Sequence, residues 1–184
     1  MAYSSRCFFF VSVALLLQFL IAPASSLPLK STQYIDDLCK MPSIDDKPFC
    51  LQTLTSYQRA MYAGSSITLA EVVISGLLVS HDQKTMRFAL VTSAKQPPSI
   101  KTQFLTSWSY FRTIGFSLAK AYDELPVSPR SATYDAMSCT NQITKVLNLI
   151  GKNQDVASKT LIEMTMRMKK LLPLGVAAAQ AVAG

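Results

Sequence analysis

Residues 99–125 have the sequence SIKTQFLTSWSYFRTIGFSLAKAYDEL, and this stretch carries the clearest fold signal in the chain. Its apolar residues recur at steps of three and four, a spacing that places them on one face of an α-helix. They are Ile100, Phe104, Trp108, Phe111, Ile114, Leu118, Ala121 and Leu125. Prolines close to both ends of the stretch stop the pattern there. The stretch therefore predicts a long helix with one buried face.

Three more segments show the same periodicity, one before this helix and two after it. They span residues 65–96, 131–151 and 155–173, and each begins near a Ser or Asp that can cap a helix. In the first of them the predicted buried positions are Ile67, Ala70, Ile74, Leu77, His81, Phe88 and Val91. Helices joined by short loops pack as antiparallel neighbours. The sequence thus predicts an all-α protein whose residues 65–173 form an up-down-up-down four-helix bundle.

The segments on either side of the bundle have different characters. Residues 27–64 contain two short helical patterns around a turn rich in Pro and Asp, which predicts an N-terminal helical hairpin. Within that turn Asp46 is the expected cap of the second helix, which we expect to run as far as Met61. Residues 174–184 are small and apolar, and Pro173 is expected to end the preceding helix. We therefore expect a C-terminal tail with little to fix its structure.

Residues 1–26 have the layout of a secretory signal peptide. Arg6 precedes an apolar run over residues 8–21, and small residues follow up to Ser26, after which we expect cleavage. The alternative is a membrane anchor, but the run is shorter than the roughly 20 residues that span a bilayer, and Gln18 interrupts it. The sequence therefore predicts an extracellular protein.

The cysteines suggest one disulfide. Cys7 lies in the predicted signal peptide, which leaves Cys39, Cys50 and Cys139 in an oxidising compartment. Cys39 and Cys50 are close in sequence and are the expected pair, with a stabilisation of about 2.5–3 kcal/mol from loop closure. The alternative is two separate buried thiols. A zinc site is disfavoured because it needs four ligands, and His81 is the only histidine.

Charge and motifs argue against catalysis and against nucleic-acid binding. The chain has a formal charge of +7, and removal of the leader lowers it by one, so an acidic partner is expected. The basic residues are dispersed, with no run longer than Lys169-Lys170, so a nucleic-acid site is not predicted. His81 lies on the apolar phase of its helix, where packing is the simpler role. The sequence contains no nucleophile, phosphate-binding or metal-binding motif, so we expect neither an enzyme nor a cofactor.

Three stretches of the chain stand out as motifs: LCKMP (38–42) with FCLQTL (49–54), AYDEL (121–125) and SATYDAMSC (131–139). In this order they resemble the plant invertase and pectin methylesterase inhibitor family. The resemblance implies a four-helix bundle preceded by a disulfide-stapled helical hairpin. It also implies an extracellular protein of the apoplast or cell wall. Such a protein would bind a cell-wall enzyme over its active-site cleft, without catalysis or cofactor.

The chain departs from that family at a second disulfide, which usually joins bundle helices two and three. Cys139 matches the later cysteine, whereas the partner position falls at Ile114. Both residues lie on the apolar phases of their helices, so a hydrophobic contact is expected in place of the bridge. Cys139 is then expected to be a buried thiol in a monomer. The alternative is an intermolecular cross-link that forms a dimer.

The predicted function follows from this resemblance. Residues 49–57, FCLQTLTSY, are more similar to the pectin methylesterase inhibitors, so that enzyme is the expected target and invertase is the alternative. An alternative of another class is a secreted helical protein that binds lipid or membranes, because the basic charge and the apolar tail suit that role.

Overall fold

A computed structural model describes residues 30–184, with side chains described from residue 32, so the predicted signal peptide lies outside the described residues. The helices are α1 (Lys30–Cys39), α2 (Lys47–Ser56), α3 (Gln58–Met61), α4 (Ser66–Glu71), α5 (Ser80–Ser93), α6 (Pro98–Glu124), α7 (Pro129–Ile150) and α8 (Val156–Ala183). A π-helical segment, Val72–Val79, joins α4 to α5 in one continuous rod. No strand occurs in residues 30–184.

Four long elements form the bundle: the α4–π–α5 rod, α6, α7 and α8. Each packs against its neighbours in the chain, and α8 returns to contact the first rod. The short helices α1, α2 and α3 precede the bundle, and α1 packs against α8. The predicted all-α fold, a four-helix bundle with an N-terminal helical extension, is confirmed.

Local signals set most helix starts. Ser65 accepts a hydrogen bond from the backbone N–H of Thr68 (3.1 Å), and Asp155 accepts one from the N–H of Ser158 (2.8 Å). The predicted cap at Asp46 also forms, because its carboxylate accepts from the N–H of Phe49 (3.0 Å). The second hairpin helix, however, does not run unbroken to Met61. Tyr57 adopts an extended backbone conformation (φ −95°, ψ 100°) and separates α2 from α3.

Helix α6 buries the face that the sequence predicts. It supplies the two largest fully buried side chains, Phe104 and Phe111, together with Ile114 and Leu118. Helix α7 buries the small residues Ala132, Ala136 and Cys139, and Cys139 contacts the backbone of Ile114. Alternating large and small residues lets the helices pack closely.

The predicted buried face of the first bundle helix is only partly right beyond the π-helical segment. The buried residues there are Asp82, Thr85, Ala89 and Ser93. The predicted Phe88 is half-buried and packs on Phe104 with the ring centres 6.4 Å apart, whereas the predicted Val91 is 55% exposed. A π-helical turn, closed by i→i+5 hydrogen bonds, holds more residues than an α-helical turn. The residues after Val72–Val79 therefore face a different direction from the one that a regular 3.6-residue period predicts.

The predicted helix end at Pro173 and the loose tail after it are also wrong. Helix α8 continues through Pro173 to Ala183. An internal proline costs a helix about 3 kcal/mol, but here the following turns are buried: Leu174, Gly175, Val176, Ala177, Ala178 and Ala179. Their small side chains let α8 approach the first rod so closely that a Cβ on Gly175 would collide with Leu78. Tertiary packing thus offsets the local cost of Pro173.

Candidate docking surface

The N-terminal hairpin is held by one covalent link and by contacts with α8. Cys39 and Cys50 form a disulfide with their Cα atoms 5.7 Å apart, as the sequence predicts. Ser43, in the turn between α1 and α2, donates a hydrogen bond to the Gln180 side chain near the end of α8 (2.8 Å). The ammonium group of Lys170 lies 5.7 Å from the centre of the Phe49 ring. The hairpin is therefore fixed to the last turns of the chain.

Cys139 is unpaired and fully buried between α6 and α7. Its Sγ lies 3.9 Å from the carbonyl oxygen of Ile114 and 3.7 Å from that of Asp135. Ile114 and Cys139 therefore meet in the core. These are the two positions that the family resemblance places opposite each other. Burial raises the pKa of the Cys139 thiol to about 12, and the nearby Asp82 carboxylate adds to the shift. The thiol is protonated and shielded at neutral pH.

Asp82 is a titratable group inside the bundle that the sequence pattern did not indicate. It is 1% exposed, and its Oδ1 has no hydrogen-bond partner among the described residues. Its carboxyl group lies against α6, where a Cβ on Gly115 would be only 2.8 Å from Oδ2. Burial raises the pKa of Asp82 to about 7. Like Cys139, it is enclosed by the bundle.

The remaining candidates from the sequence also lack a catalytic arrangement. His81 is half-buried, with its Nε2 2.8 Å from the carbonyl oxygen of Met164, and burial lowers the pKa of its imidazole. Asp36 and Asp37 are exposed on α1, and Asp37 pairs with Lys40 at 3.8 Å. In residues 30–184 no three His, Cys, Asp or Glu side chains come together in a group that could hold a metal ion.

Two exposed aromatic side chains lie on the outer sides of α6 and α7. Phe116 on α6 and Tyr134 on α7 expose 65% and 73% of their surface. Each directly precedes a residue whose side chain contacts the other helix. We call this surface the α6/α7 face and define it by Arg112, Phe116, Lys120 and Tyr134. Its residues lie off the predicted buried stripes, and apolar character at off-stripe positions was the signal available in the sequence.

Charged side chains contact the aromatic rings of the α6/α7 face and link its two helices. The Arg112 guanidinium lies over two rings, 5.8 Å from the centre of Trp108 and 5.4 Å from that of Phe116. Lys120 bridges the two helices, at 2.9 Å from an Asp135 oxygen and 3.4 Å from a Glu124 oxygen. The hydrogen bond with Asp135 raises the pKa of Lys120.

A hydrogen bond between Ser138 and Ser117 (3.3 Å) links the same pair of helices. With aromatic anchors, an Arg and a rigid helical base, the surface has the composition of a protein-binding site.

In residues 30–184 no helix combines the length and the apolar character that crossing a bilayer requires. Most of the apolar C-terminal residues that prompted the lipid-binding alternative are packed inside the bundle.

Comparison with known proteins places the chain in a fold class. None of the protein-family models matches it, and none of the curated proteins matches it either. Among solved structures, the all-helical fold is similar to the crystal structure of a pectin methylesterase inhibitor from Arabidopsis thaliana, with a TM-score of 0.59. The alignment covers 82% of this chain and 97% of that one at 12% sequence identity. The similarity shows the fold.

Proposed function

We propose that this protein is a secreted inhibitor of pectin methylesterase that binds over the enzyme's active-site cleft through its α6/α7 face. The observation that carries the proposal is a pair of exposed aromatic side chains on two linked helices of a bundle with the fold of a pectin methylesterase inhibitor. The enclosed positions of Asp82 and Cys139 fit a protein that acts by binding rather than by chemistry. Because the Cys139 thiol is buried, we expect a monomer.

The direct test is an inhibition assay with the secreted protein. Purified pectin methylesterase and purified invertase are each titrated with it, and residual activity is measured. Loss of pectin methylesterase activity at a one-to-one ratio is the expected result. Inhibition of invertase alone would contradict this target and favour the alternative, an invertase inhibitor. Full activity of both enzymes at saturating protein would remove the inhibitor function altogether.

A double variant tests whether the α6/α7 face makes the contact. Phe116→Ala with Tyr134→Ala should weaken inhibition by at least about a hundredfold, because buried aromatic anchors dominate interface energies. The matched control is Tyr62→Ala with Val156→Ala, which removes side chains that are 69% and 81% exposed elsewhere on the molecule. Equal inhibition by the two double variants would show that the α6/α7 face does not contact the enzyme. This result would leave inhibition by the wild-type protein unaffected.

A further inference from the structure

A polar groove lies between the hairpin and the bundle. It consists of two adjoining cavities of about 390 and 290 Å³, which share Thr53, Tyr57, Leu77 and Arg167. Helix α2 forms one wall, and the π-helical segment, α5 and α8 form the other. Cavities of this size accommodate small organic ligands.

The groove carries positive charge without any acid to balance it. Arg167 and Lys84 line it, and no Asp or Glu does. None of the ion pairs between described residues involves either cation. Both positive charges contribute to the lowered pKa of His81, whose ring also lines the groove, so the two cations lie near one another. Two unpaired cations that face one cavity create a positive potential in it.

Neutral hydrogen-bonding groups surround the two cations. The side chains of Gln52, Thr53, Tyr57 and Ser80 line the cavities, and within the described part of the chain they make no side-chain hydrogen bond. Leu77 supplies an apolar surface beside them. The groove thus offers donors and acceptors for hydroxyl groups next to a binding position for an anion.

The shape of the groove depends on a close contact between the hairpin and the π-helical segment. The Tyr57 ring lies on Gly76, where a Cβ would be 2.5 Å from the phenolic oxygen and 3.1 Å from a ring carbon. Only glycine leaves room for the ring at this position. The π-helical segment and the break at Tyr57 therefore occur together at the wall of one cavity, and π-helical turns are frequent at functional sites.

We propose that this groove is a binding site for a small hydroxylated molecule that carries a carboxylate or phosphate group. Arg167 and Lys84 hold the anionic oxygens, since charge-assisted hydrogen bonds from such side chains are strong. Thr53, Tyr57, Gln52 and Ser80 hydrogen-bond the hydroxyl groups of the ligand. The site uses none of the residues of the α6/α7 face, so it does not depend on the proposed inhibitor function.

Titration with three sugars tests the site. Glucuronate, glucose 6-phosphate and glucose are added separately to the ¹⁵N-labelled mature protein, and amide shifts are followed by NMR. At least one anionic sugar should shift amides of residues 76–84 and 165–169 in a saturable manner, and the affinity should fall with added salt. The two anionic probes distinguish a carboxylate ligand from a phosphate ligand. Glucose should bind at least about tenfold more weakly.

Charge-matched variants provide the control. Lys84→Gln with Arg167→Gln should weaken binding of the anionic sugar at least about tenfold. Arg130→Gln with Lys152→Gln removes the same charge from exposed positions outside the groove and should leave binding unchanged. Circular dichroism confirms that both variants are folded. Equal binding by the two double variants, equal binding of glucose, or no saturable shift with either anion would overturn the proposal.

Discussion

The helices of the hairpin and those of the bundle interior are held together in different ways. The hairpin has short helices that contribute side chains to the same apolar core as the bundle, and a disulfide between Cys39 and Cys50 links its two arms. The bundle has four long elements and a large apolar core, yet it encloses a free thiol at Cys139 and an unpartnered carboxyl group at Asp82.

The difference shows that the size of a structural element decides whether it can enclose an energetically unfavourable group. A small element cannot bury enough apolar surface to order itself, so a covalent link that restricts the unfolded chain has a large effect on it. A large core can enclose a titratable group at a cost that depends on pH. The hairpin should therefore respond to reduction, and the bundle to pH.

The largest predicted effect concerns Asp82 and pH. Its pKa is about 3.8 when unfolded and is raised to about 7 in the fold, so the folded state retains the proton that the unfolded state loses between these values. Stability should therefore fall as pH rises from about 4 to 7 and then level off, with a contribution of roughly 4 kcal/mol from this group. Urea unfolding gives the free energy of unfolding of the wild type and of Asp82→Asn at several pH values in this range. The difference between the two slopes of this free energy against pH measures the contribution of Asp82.

A matched acid makes this test specific. Asp123→Asn removes an exposed carboxyl group on α6, and its free energy of unfolding should vary with pH as that of the wild type does. The interpretation of Asp82 fails if Asp82→Asn keeps the same slope as Asp123→Asn.

The next effect concerns the disulfide of the hairpin. Replacement of Cys39 and Cys50 by serine should lower the free energy of unfolding by about 2.5–3 kcal/mol, because the unfolded chain regains the freedom of the closed loop. Urea unfolding measures the loss. Hydrogen exchange should place the increased opening in α1 and α2, with α6 and α7 still protected. Uniformly faster exchange in all four long elements would show that the hairpin is not a separate cooperative unit.

The smallest effect separates two neighbouring acids in the hairpin turn. Asp46→Ala removes the side chain that caps α2 and should cost about 1 kcal/mol. Asp45→Ala, one residue earlier, removes the same charge from a residue that makes no cap and should change stability much less. Thermal unfolding of the two variants under identical conditions gives the comparison. Equal shifts would assign the effect to charge rather than to capping.

Parts of the fold that depend on local pattern could be predicted from the sequence, and parts that depend on distant contacts could not. The buried face of α6 was predicted because large side chains follow a regular helical period there. The direction of the buried face of α5 was not predicted. It depends on the π-helical segment before α5, which packs on Tyr57, a residue of another element. The sequence gives no local sign of that contact, and Asp82 was missed for the same reason.

The same distinction applies to the C-terminus and to the candidate surface. Pro173 is a local signal for a helix end, but burial of the residues after it outweighs that signal. The disulfide was predicted because its two cysteines are close in sequence. The α6/α7 face required the structure, since only the packing of the two helices shows that Lys120 pairs with Asp135 beside the exposed Phe116 and Tyr134.

The hydrogen bond between Ser43 and Gln180 has a consequence for the order of assembly during synthesis. The hairpin is translated before the bundle, and its two cysteines are close enough to pair while the bundle is still being made. Gln180 and the other residues of the last turns of α8 are translated after the other described helices. The hairpin can therefore close early, whereas its contact with α8 forms only after that helix is made, and a chain cut short near Pro173 would lose the hydrogen bond that joins the hairpin turn to α8.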